Sequence, residues 1–381
     1  YNDKHVTSQA KKVLVAMSGG VDSSVAAALL REDGFEVVGC FMRLGSDDSI
    51  EAAEPLDHVE ACNPTQIRIG HQGCCSLNDA ADARLVAAML DIPFYVCNFK
   101  KDFGRIIHYF VSEYNAGRTP NPCVRCNDWL KFGKLMSYAR TIDADYVATG
   151  HYARIEHRDD HCRLLRGADH HKDQSYVLFG TKRDHLPHVL LPVGSYQKSE
   201  IRQIAREKKL PVSDKPDSQE ICFVPDNNHA AYVRKHGSTG SGQIFDMNGQ
   251  HIGDHHGLEQ YTPGQRRGLD LGGGTSPRYV ISLDKNENRI TVGSKTDAYA
   301  KSIELRNVHW VSSNPPTKSR AVEVRTRYRM PVEPAIISDV AGKTTVSFLN
   351  KAWAPAPGQA AVFYTGEEVL GGGTIDKVIH Q

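Results

Sequence analysis

A doubly wound α/β domain with a parallel sheet, followed by two small β domains of which the last is a barrel, is the architecture this sequence predicts. Three observations carry it. Through residues 1–222, short apolar runs alternate with helix-forming stretches, as βα units do. Beyond Cys222 helical periodicity fades, and short β-type runs alternate with Gly, Asn and Asp turns, the texture of small barrels. The length agrees: 381 residues divide into two or three domains at roughly 100–200 residues each.

The elements follow in order. Lys12–Met17 (KVLVAM) is apolar enough for a buried parallel strand, and Asp22–Asp33 is a helix ended by Gly34. Glu36–Met42 is the second strand, Asp79–Asp91 a helix, and Pro93–Asn98 a strand. Helix Asp128–Thr141, strand Asp145–Thr149 and helix Lys198–Leu210 complete the first domain. Gln243–Asp246, Tyr279–Leu283 and Arg289–Val292 are strands of a central domain, 223–300. Ala321–Tyr328, Thr344–Phe348, Ala360–Tyr364 and Glu368–Leu370 build the C-terminal domain, 301–381. His236–Ser241 and Ser312–Lys318 read as joints.

Composition excludes several classes. At 40% hydrophobic and 24% charged residues the chain is too apolar for disorder, yet no run approaches the roughly 20 apolar residues that span a bilayer. Tyr1–Ala10 has no apolar signal core and no Arg-rich amphipathic presequence is visible, so a cytoplasmic location is expected. With 46 basic and 45 acidic residues the net charge is +1, and any nucleic-acid contact must come from local patches. Nine cysteines, an odd number, fit reduced thiols better than a secreted disulfide scaffold.

Two segments concentrate chemistry. The first strand runs into Ser18-Gly19-Gly20-Val21-Asp22-Ser23-Ser24, where a helix opens. Glycines let backbone approach an anion, hydroxyls donate, and the helix N-terminus supplies N–H groups and partial positive charge. Asp22 would repel bare phosphate, so it serves either as a ligand for Mg²⁺ or as a cap. Neither GxxxxGK[ST] nor GxGxxG is present. The second is Thr119-Pro120-Asn121-Pro122-Cys123-Val124-Arg125-Cys126-Asn127, a proline-set loop just before a helix, where the dipole and Arg125 favour a thiolate. One CxxC pair is too little for a four-ligand zinc site, and the context of a redox dithiol fold is lacking, so no tightly bound structural metal is expected. Cys40, Cys97 and Cys162 read as core or surface thiols. Cys74 and Cys75 remain open between a packed turn and an auxiliary site, and Cys62 has no readable context.

The loop Ser18–Ser24 resembles the pyrophosphate (PP) loop of the ATP pyrophosphatases. Together with Gly117–Asn127, Ala148–Tyr152 (ATGHY), Lys172–Tyr176 (KDQSY), Asp217–Phe223 (DSQEICF), Thr262–Gly268 (TPGQRRG), Val324–Arg329 (VRTRYR), Pro357–Phe363 and Leu370–Gly373 it forms an ordered series. The series is similar to that of the bacterial tRNA-specific 2-thiouridylases, the MnmA/TrmU family, over nearly the whole chain. The resemblance implies a PP-loop domain, 1–222, that uses ATP with Mg²⁺ to adenylate the C2 oxygen of a wobble uridine before sulfur displaces AMP. It implies ATP contacts from Ala16, Met17, Ser18, Gly19, Gly20, Val21, Asp22, Ser23, Met42 and Gly150. Cys222 would carry a persulfide and Cys126 would be the nucleophile, the two ending as a Cys126–Cys222 disulfide. Asn121, Pro122 and Cys123 would border the target base; some members have Asp where this chain has Cys123, so a general base at that position is not expected. The anticodon arm of tRNA would meet His151, Lys172, Asp173, Gln174, Arg327, Tyr328 and Gln359, with Arg325, Arg327 and Arg329 sharing one face of a strand. A cysteine desulfurase or sulfur-relay protein would supply sulfur, and no membrane is involved.

Overall fold

The computed structural model describes residues 10–45, 77–158, 161–217, 221–224, 228–272, 276–313, 315, 319–340 and 342–380. The N-terminal domain contains strands β1 (Lys12–Ala16), β2 (Glu36–Arg43), β3 (Phe94–Asn98) and β4 (Tyr146–Ala148). A hairpin follows, β5 (Ala153–His157) and β6 (Cys162–Arg166), and then β7 (Val189–Leu190). Its helices are α1 (Val21–Glu32), α2 (Leu77–Met89), α3 (Lys100–Asn115), α4 (Pro122–Arg125), α5 (Leu135–Thr141) and α6 (Lys198–Glu207). Among the described residues five strands form a parallel sheet in the order β3-β2-β1-β4-β7.

Alternation along β1 explains the two layers. Val13 and Val15 enter a core with Val25 and Ala26 of α1 and Ile201 of α6. Leu14 and Ala16 enter the opposite core with Leu135 and Met136 of α5. Both faces of the strand are buried, so it reads as a continuous apolar run. The chain leaves β1 toward β2 on one side and reaches β4 on the other, so the sheet switches direction between β1 and β4. In open α/β sheets, ligands bind outside the carboxyl ends of strands at such a point.

The helix expected at Asp128–Thr141 begins earlier. Asn121 accepts a hydrogen bond from the Val124 N–H, and Pro122 occupies the first helical position, where its missing N–H costs nothing. Helix α4 continues through a π-helical stretch, Cys126–Lys134, into α5. Cys123 and Cys126 therefore lie on a helix and not in a loop before it.

A seven-residue helix, α7 (His229–Lys235), was not expected beyond Cys222; Asn228 caps it. Strands β8 (Gly242–Phe245), β9 (His251–His255), β10 (Tyr279–Asp284) and β11 (Arg289–Gly293) form the central sheet. Val233 of α7 packs with the N-terminal helices and Ile244 of β8 packs in the central sheet, with His236–Ser241 between them in sequence.

The C-terminal strands are β12 (Tyr299–Trp310), β13 (Ser319–Arg325), β14 (Glu333–Val340), β15 (Lys343–Trp353), β16 (Ala360–Thr365) and β17 (Glu368–Ile379). They pair in the order β12-β15-β14-β13-β16-β17, and β12 pairs again with β17 to close a six-stranded barrel. Closure removes the exposed edges of the sheet. Ser312–Lys318 therefore connects two strands of one barrel and is no domain joint. The β5–β6 hairpin, which belongs by position to the first domain, extends this sheet through Leu165 opposite Glu368.

The expected strand Ala321–Tyr328 stops at Arg325, and residues 326–329 turn away. Arg325, Arg327 and Arg329 consequently share no strand face. Arg327 is pulled inward by two carbonyl acceptors, those of Pro263 and Ala354.

Candidate active site

The carboxyl ends of β1 and β4 bring the phosphate loop against Gly150. A Cβ at Gly150 would lie 2.5 Å from Ser23 N and 2.6 Å from Asp22 C, so the loop fits only against bare backbone. Gly19 takes φ +71° and passes so close to the Asp79 carbonyl that a side chain has no room. Ser23 Oγ accepts from Ser18 N at 3.1 Å, and the Ser24 hydroxyl donates to the Gly20 carbonyl at 2.9 Å. These bonds hold the turn open ahead of α1, whose first N–H groups have no intrahelical acceptor.

Asp22 makes no capping hydrogen bond. Its Oδ1 accepts from the Tyr152 hydroxyl and from Lys198 Nζ, both at 2.7 Å. Lys198, 12% exposed, also reaches Asp217 Oδ1 at 2.9 Å. Asp217 collects two further cations, Lys172 Nζ and Arg202 Nη2, each at 2.7 Å. Burial would raise this carboxyl, but Lys172 and Lys198 outweigh it and hold it at about 2. Lys215 donates to the Gly19 carbonyl at 2.9 Å and to Asp79 and Asp82 at 2.6 Å. Sequence reading missed Lys198, Lys215 and Arg202. Isolated cations on different elements carry no local pattern that could have flagged them.

The thiols meet at one apolar cluster. Cys126, at the start of the π-helical stretch, and Cys222, between Ile221 and Phe223, are both half-buried. Both pack against the cluster formed by Leu44, Phe103, Phe110 and Phe223. Met42 packs there too and also against the core beneath the sheet, so it links the strand ends to the thiols. Cys123, one helical turn before Cys126, is exposed. Cys62, Cys74 and Cys75 lie outside the described residues, and no group of three or more metal-ligating side chains occurs among those described.

The thiol-bearing helix is held from the barrel. Gln359 Nε2 donates to the Thr119 and Pro120 carbonyls at 3.0 and 3.2 Å. Arg125 Nη2 donates to Thr374 Oγ1 at 3.0 Å, while its Nη1 pairs with Asp128 at 3.3 Å. Thr119 Oγ1 donates to Thr262 Oγ1 at 3.1 Å, adding the central domain to the same loop.

Several residues assigned to tRNA are engaged internally. Asp173 accepts from the Gly167 and Ser175 N–H groups and pairs with Arg325 at 3.2 Å. Gln174 Oε1 accepts from Tyr152 N at 2.9 Å. His151 is buried, and burial together with the Lys131 ammonium pushes its pKa well below the ordinary value. Lys131 can only donate, so Nε2 accepts and Nδ1 carries the proton toward Thr149 Oγ1 at 2.7 Å. Lys172 is occupied by Asp217, whereas Tyr328 is exposed beside Tyr176, their ring centroids 6.0 Å apart. Asn121 spends its side-chain oxygen on the cap, and Pro122 is buried.

Family models cover the chain in three parts. A "tRNA methyl transferase HUP domain" matches residues 11–226, a "tRNA methyl transferase PRC-barrel domain" 230–294 and an "Aminomethyltransferase beta-barrel domain" 300–375. The tRNA-specific 2-thiouridylase MnmA of Rhodopirellula baltica is 43% identical, covering 97% of each chain. The chain belongs to the tRNA-specific 2-thiouridylase family. A Clostridium botulinum member is 42% identical over 97% of this chain and 99% of its own, and a Carboxydothermus hydrogenoformans member 42% over 96% and 98%. The 2-thiouridylase relatives thus match from the phosphate loop to the barrel, and the site described above lies wholly within the matched length.

Proposed function

We infer that the protein is an ATP-dependent tRNA sulfurtransferase that converts uridine to 2-thiouridine at the wobble position. The observation that carries the reading is the meeting of two half-sites. A phosphate loop follows β1 at the sheet's switch point, and Met42, near the end of the neighbouring β2, packs both against the core beneath β1 and against the cluster on which Cys126 and Cys222 pack. Uracil C2 is a poor electrophile because its oxygen leaves badly. Attack by that oxygen on the α-phosphorus of ATP releases pyrophosphate and makes AMP the leaving group. The Cys126 thiolate then attacks Sγ of a Cys222 persulfide, forming the Cys126–Cys222 disulfide and expelling the terminal sulfur as hydrosulfide. Hydrosulfide adds at C2, AMP departs, and an external dithiol resets the pair.

Ala16 to Ser23, Met42 and Gly150 are the proposed ATP contacts. Asp22, the carboxylate of the loop, fits a hard divalent cation, and Mg²⁺ held there would neutralise phosphate charge. Asn121, Pro122 and Cys123 are proposed to border the flipped base. Because Asp173, Gln174 and His151 are internally bonded, their proposed part is to shape the surface that meets tRNA. Lys172, Tyr328 and the Gln359-held loop are proposed as the nearer contacts with the anticodon arm. A cysteine desulfurase or relay protein is the proposed sulfur source. Among the described residues no helix is long and apolar enough to cross a membrane, and we place the reaction in the cytoplasm, with its tRNA.

The test is nucleoside mass spectrometry on unmodified tRNA incubated with ATP, Mg²⁺ and a persulfide donor. Wild type should exchange oxygen for sulfur, and Cys126→Ser and Cys222→Ser should each abolish the exchange. Thiolation that persists in either variant would overturn that thiol's role. ATP consumption without sulfur incorporation by wild type would overturn the substrate.

A further inference from the structure

Two thiols outside the site described above meet beneath the sheet. Cys40 of β2 and Cys97 of β3 are 57 positions apart in sequence, and the Cys40 thiol donates to Cys97 Sγ at 3.0 Å. A disulfide bond is about 2.05 Å long, so roughly one ångström of approach separates this contact from a bond. Cys40 is fully buried and Cys97 half-buried, so a reagent from solvent meets Cys97 first. The Cys40 thiol beside it lowers the Cys97 pKa; burial opposes, and Tyr138 of α5 adds a second donor. The same contact and burial raise the pKa of Cys40, which keeps its proton. The two strands also differ in freedom. β2 pairs with both β1 and β3, whereas β3 is the edge of the sheet among the described residues and shows Tyr95 and Val96 to solvent. A strand held by a ladder on one side only can give the small shift that closure needs.

The pair lies beside a residue assigned to the nucleotide. Cys97 is opposite Met42 in the strand register, and Cys40 precedes Met42 by two positions on the same face. All three pack against the core beneath the sheet. We propose that Cys40 and Cys97 are an oxidisable dithiol that takes a peroxide, a modification site separate from Cys126 and Cys222, and that its disulfide weakens nucleotide binding through Met42. The Cys97 thiolate attacks one oxygen of hydrogen peroxide, the O–O bond breaks, and Cys97 becomes a sulfenic acid as hydroxide leaves. That hydroxide takes up the proton Cys97 had released, giving the first water. Cys40 then attacks Cys97 Sγ: the S–S bond forms, the S–O bond breaks, and the hydroxyl departs with the Cys40 proton as the second water. The two thiols together lose two electrons, and the peroxide gains them. An external dithiol reverses the change. Closure draws Cys97 toward Cys40 and away from its place opposite Met42, so the side chain proposed to touch ATP loses a neighbour that backs it. Formation of the bond requires nothing of the proposed function; its effect on nucleotide rests on reading Met42 as an ATP contact.

The experiment treats reduced full-length protein with hydrogen peroxide, blocks unreacted thiols with N-ethylmaleimide and maps the peptides by mass spectrometry without reduction. A non-hydrolysable ATP analogue with Mg²⁺ is titrated into the same samples. Wild type should yield a Cys40–Cys97 linked peptide that dithiothreitol abolishes. The Kd of the analogue should rise about fivefold on oxidation and recover on reduction. Cys97→Ser should keep the reduced Kd through the same treatment, although Cys126 and Cys222 are still present to oxidise. Cys40→Ala, which leaves Cys97 without its partner, should instead carry Cys97 on to sulfinic acid. Cys97 that stays open to N-ethylmaleimide across the peroxide series, or reaches sulfinic acid in wild type without linking, overturns the site. A Cys40→Ala protein whose Cys97 resists overoxidation overturns Cys40 as the resolving thiol. A linked peptide with an unchanged Kd, or a Kd that rises equally in Cys97→Ser, overturns the coupling to nucleotide and leaves the site standing. Reduced wild type that binds no analogue overturns the phosphate-loop reading and the coupling with it, while the linked peptide still decides the site.

Discussion

At the residue scale the site is set by what each polar group finds when water is removed. Asp128, two positions after Cys126, has a buried Oδ1 without a hydrogen-bond partner in the structure, and its other oxygen pairs with Arg125. Burial raises its pKa to about 7, with Arg125 opposing. A carboxyl whose folded pKa lies above its unfolded value of 3.8 favours the fold while protonated, and that contribution is lost as pH rises through about 7. Asp128→Asn, neutral at every pH, should therefore melt progressively above wild type as pH increases from 4 to 8. A pH series of thermal melts checks this, and a difference that shrinks with pH would contradict it. Cys126 and Cys222 stood out as candidate thiols from motif context. Asp128 was readable only as the start of a helix, because its buried oxygen depends on Gly180, which has no room for a side chain beside it.

At the element scale the decisive feature is where the thiol helix starts. Prolines at 120 and 122 suggested a rigid loop, but Asn121 capping and Pro122 at the first helical position begin the helix at Pro122 and not at Asp128, nearly two turns earlier. Local chemistry contained that answer, since an Asn-Pro pair is a helix start as well as a turn. What it lacked was the clamp from the barrel. Gln359→Ala removes two hydrogen bonds from the Thr119 and Pro120 carbonyls, each worth about 1 kcal/mol. We expect sulfur transfer to fall by roughly 25-fold, as a combined loss of about 2 kcal/mol gives at about 1.4 kcal/mol per decade, with nucleotide affinity unchanged. Single-turnover thiolation and a nucleotide titration on the same variant separate the two quantities. A parallel fall in nucleotide affinity would contradict a local role.

At the scale of the whole molecule, charged pairs fasten the barrel to the catalytic domain. Glu113 of α3 is nearly buried and binds Arg118 of its own domain and Arg306 of β12, both at 2.7 Å. Burial would raise its pKa, yet the Arg118 and Arg306 guanidinium groups outweigh burial and hold it below the usual range. Its contribution is thus present at neutral pH and is lost as pH falls through the folded pKa. Glu113→Gln leaves two arginines facing an uncharged group and should cost about 3 kcal/mol at pH 7. Denaturant titration should show that loss, with the gap from wild type narrowing in acid.

The sequence by itself determined the order of βα units, the phosphate loop at the first strand–helix junction, the pair of candidate thiols and the small-barrel texture of the C-terminal third. These are short-range properties. Periodicity, turn residues and caps are encoded within a few positions of where they act. Tertiary structure alone decided which cation serves which carboxylate, as with Lys198 and Asp22, 176 positions apart, or Arg125 and Thr374, 249 apart. It also decided that β12 closes on β17, that Ser312–Lys318 lies within one barrel, and that Arg327 turns inward to two carbonyls. An ion pair or a barrel seam joins groups with no shared local pattern. Its partners are chosen by packing and by the cost of leaving a buried polar group unmatched, and those exist only once the chain has folded.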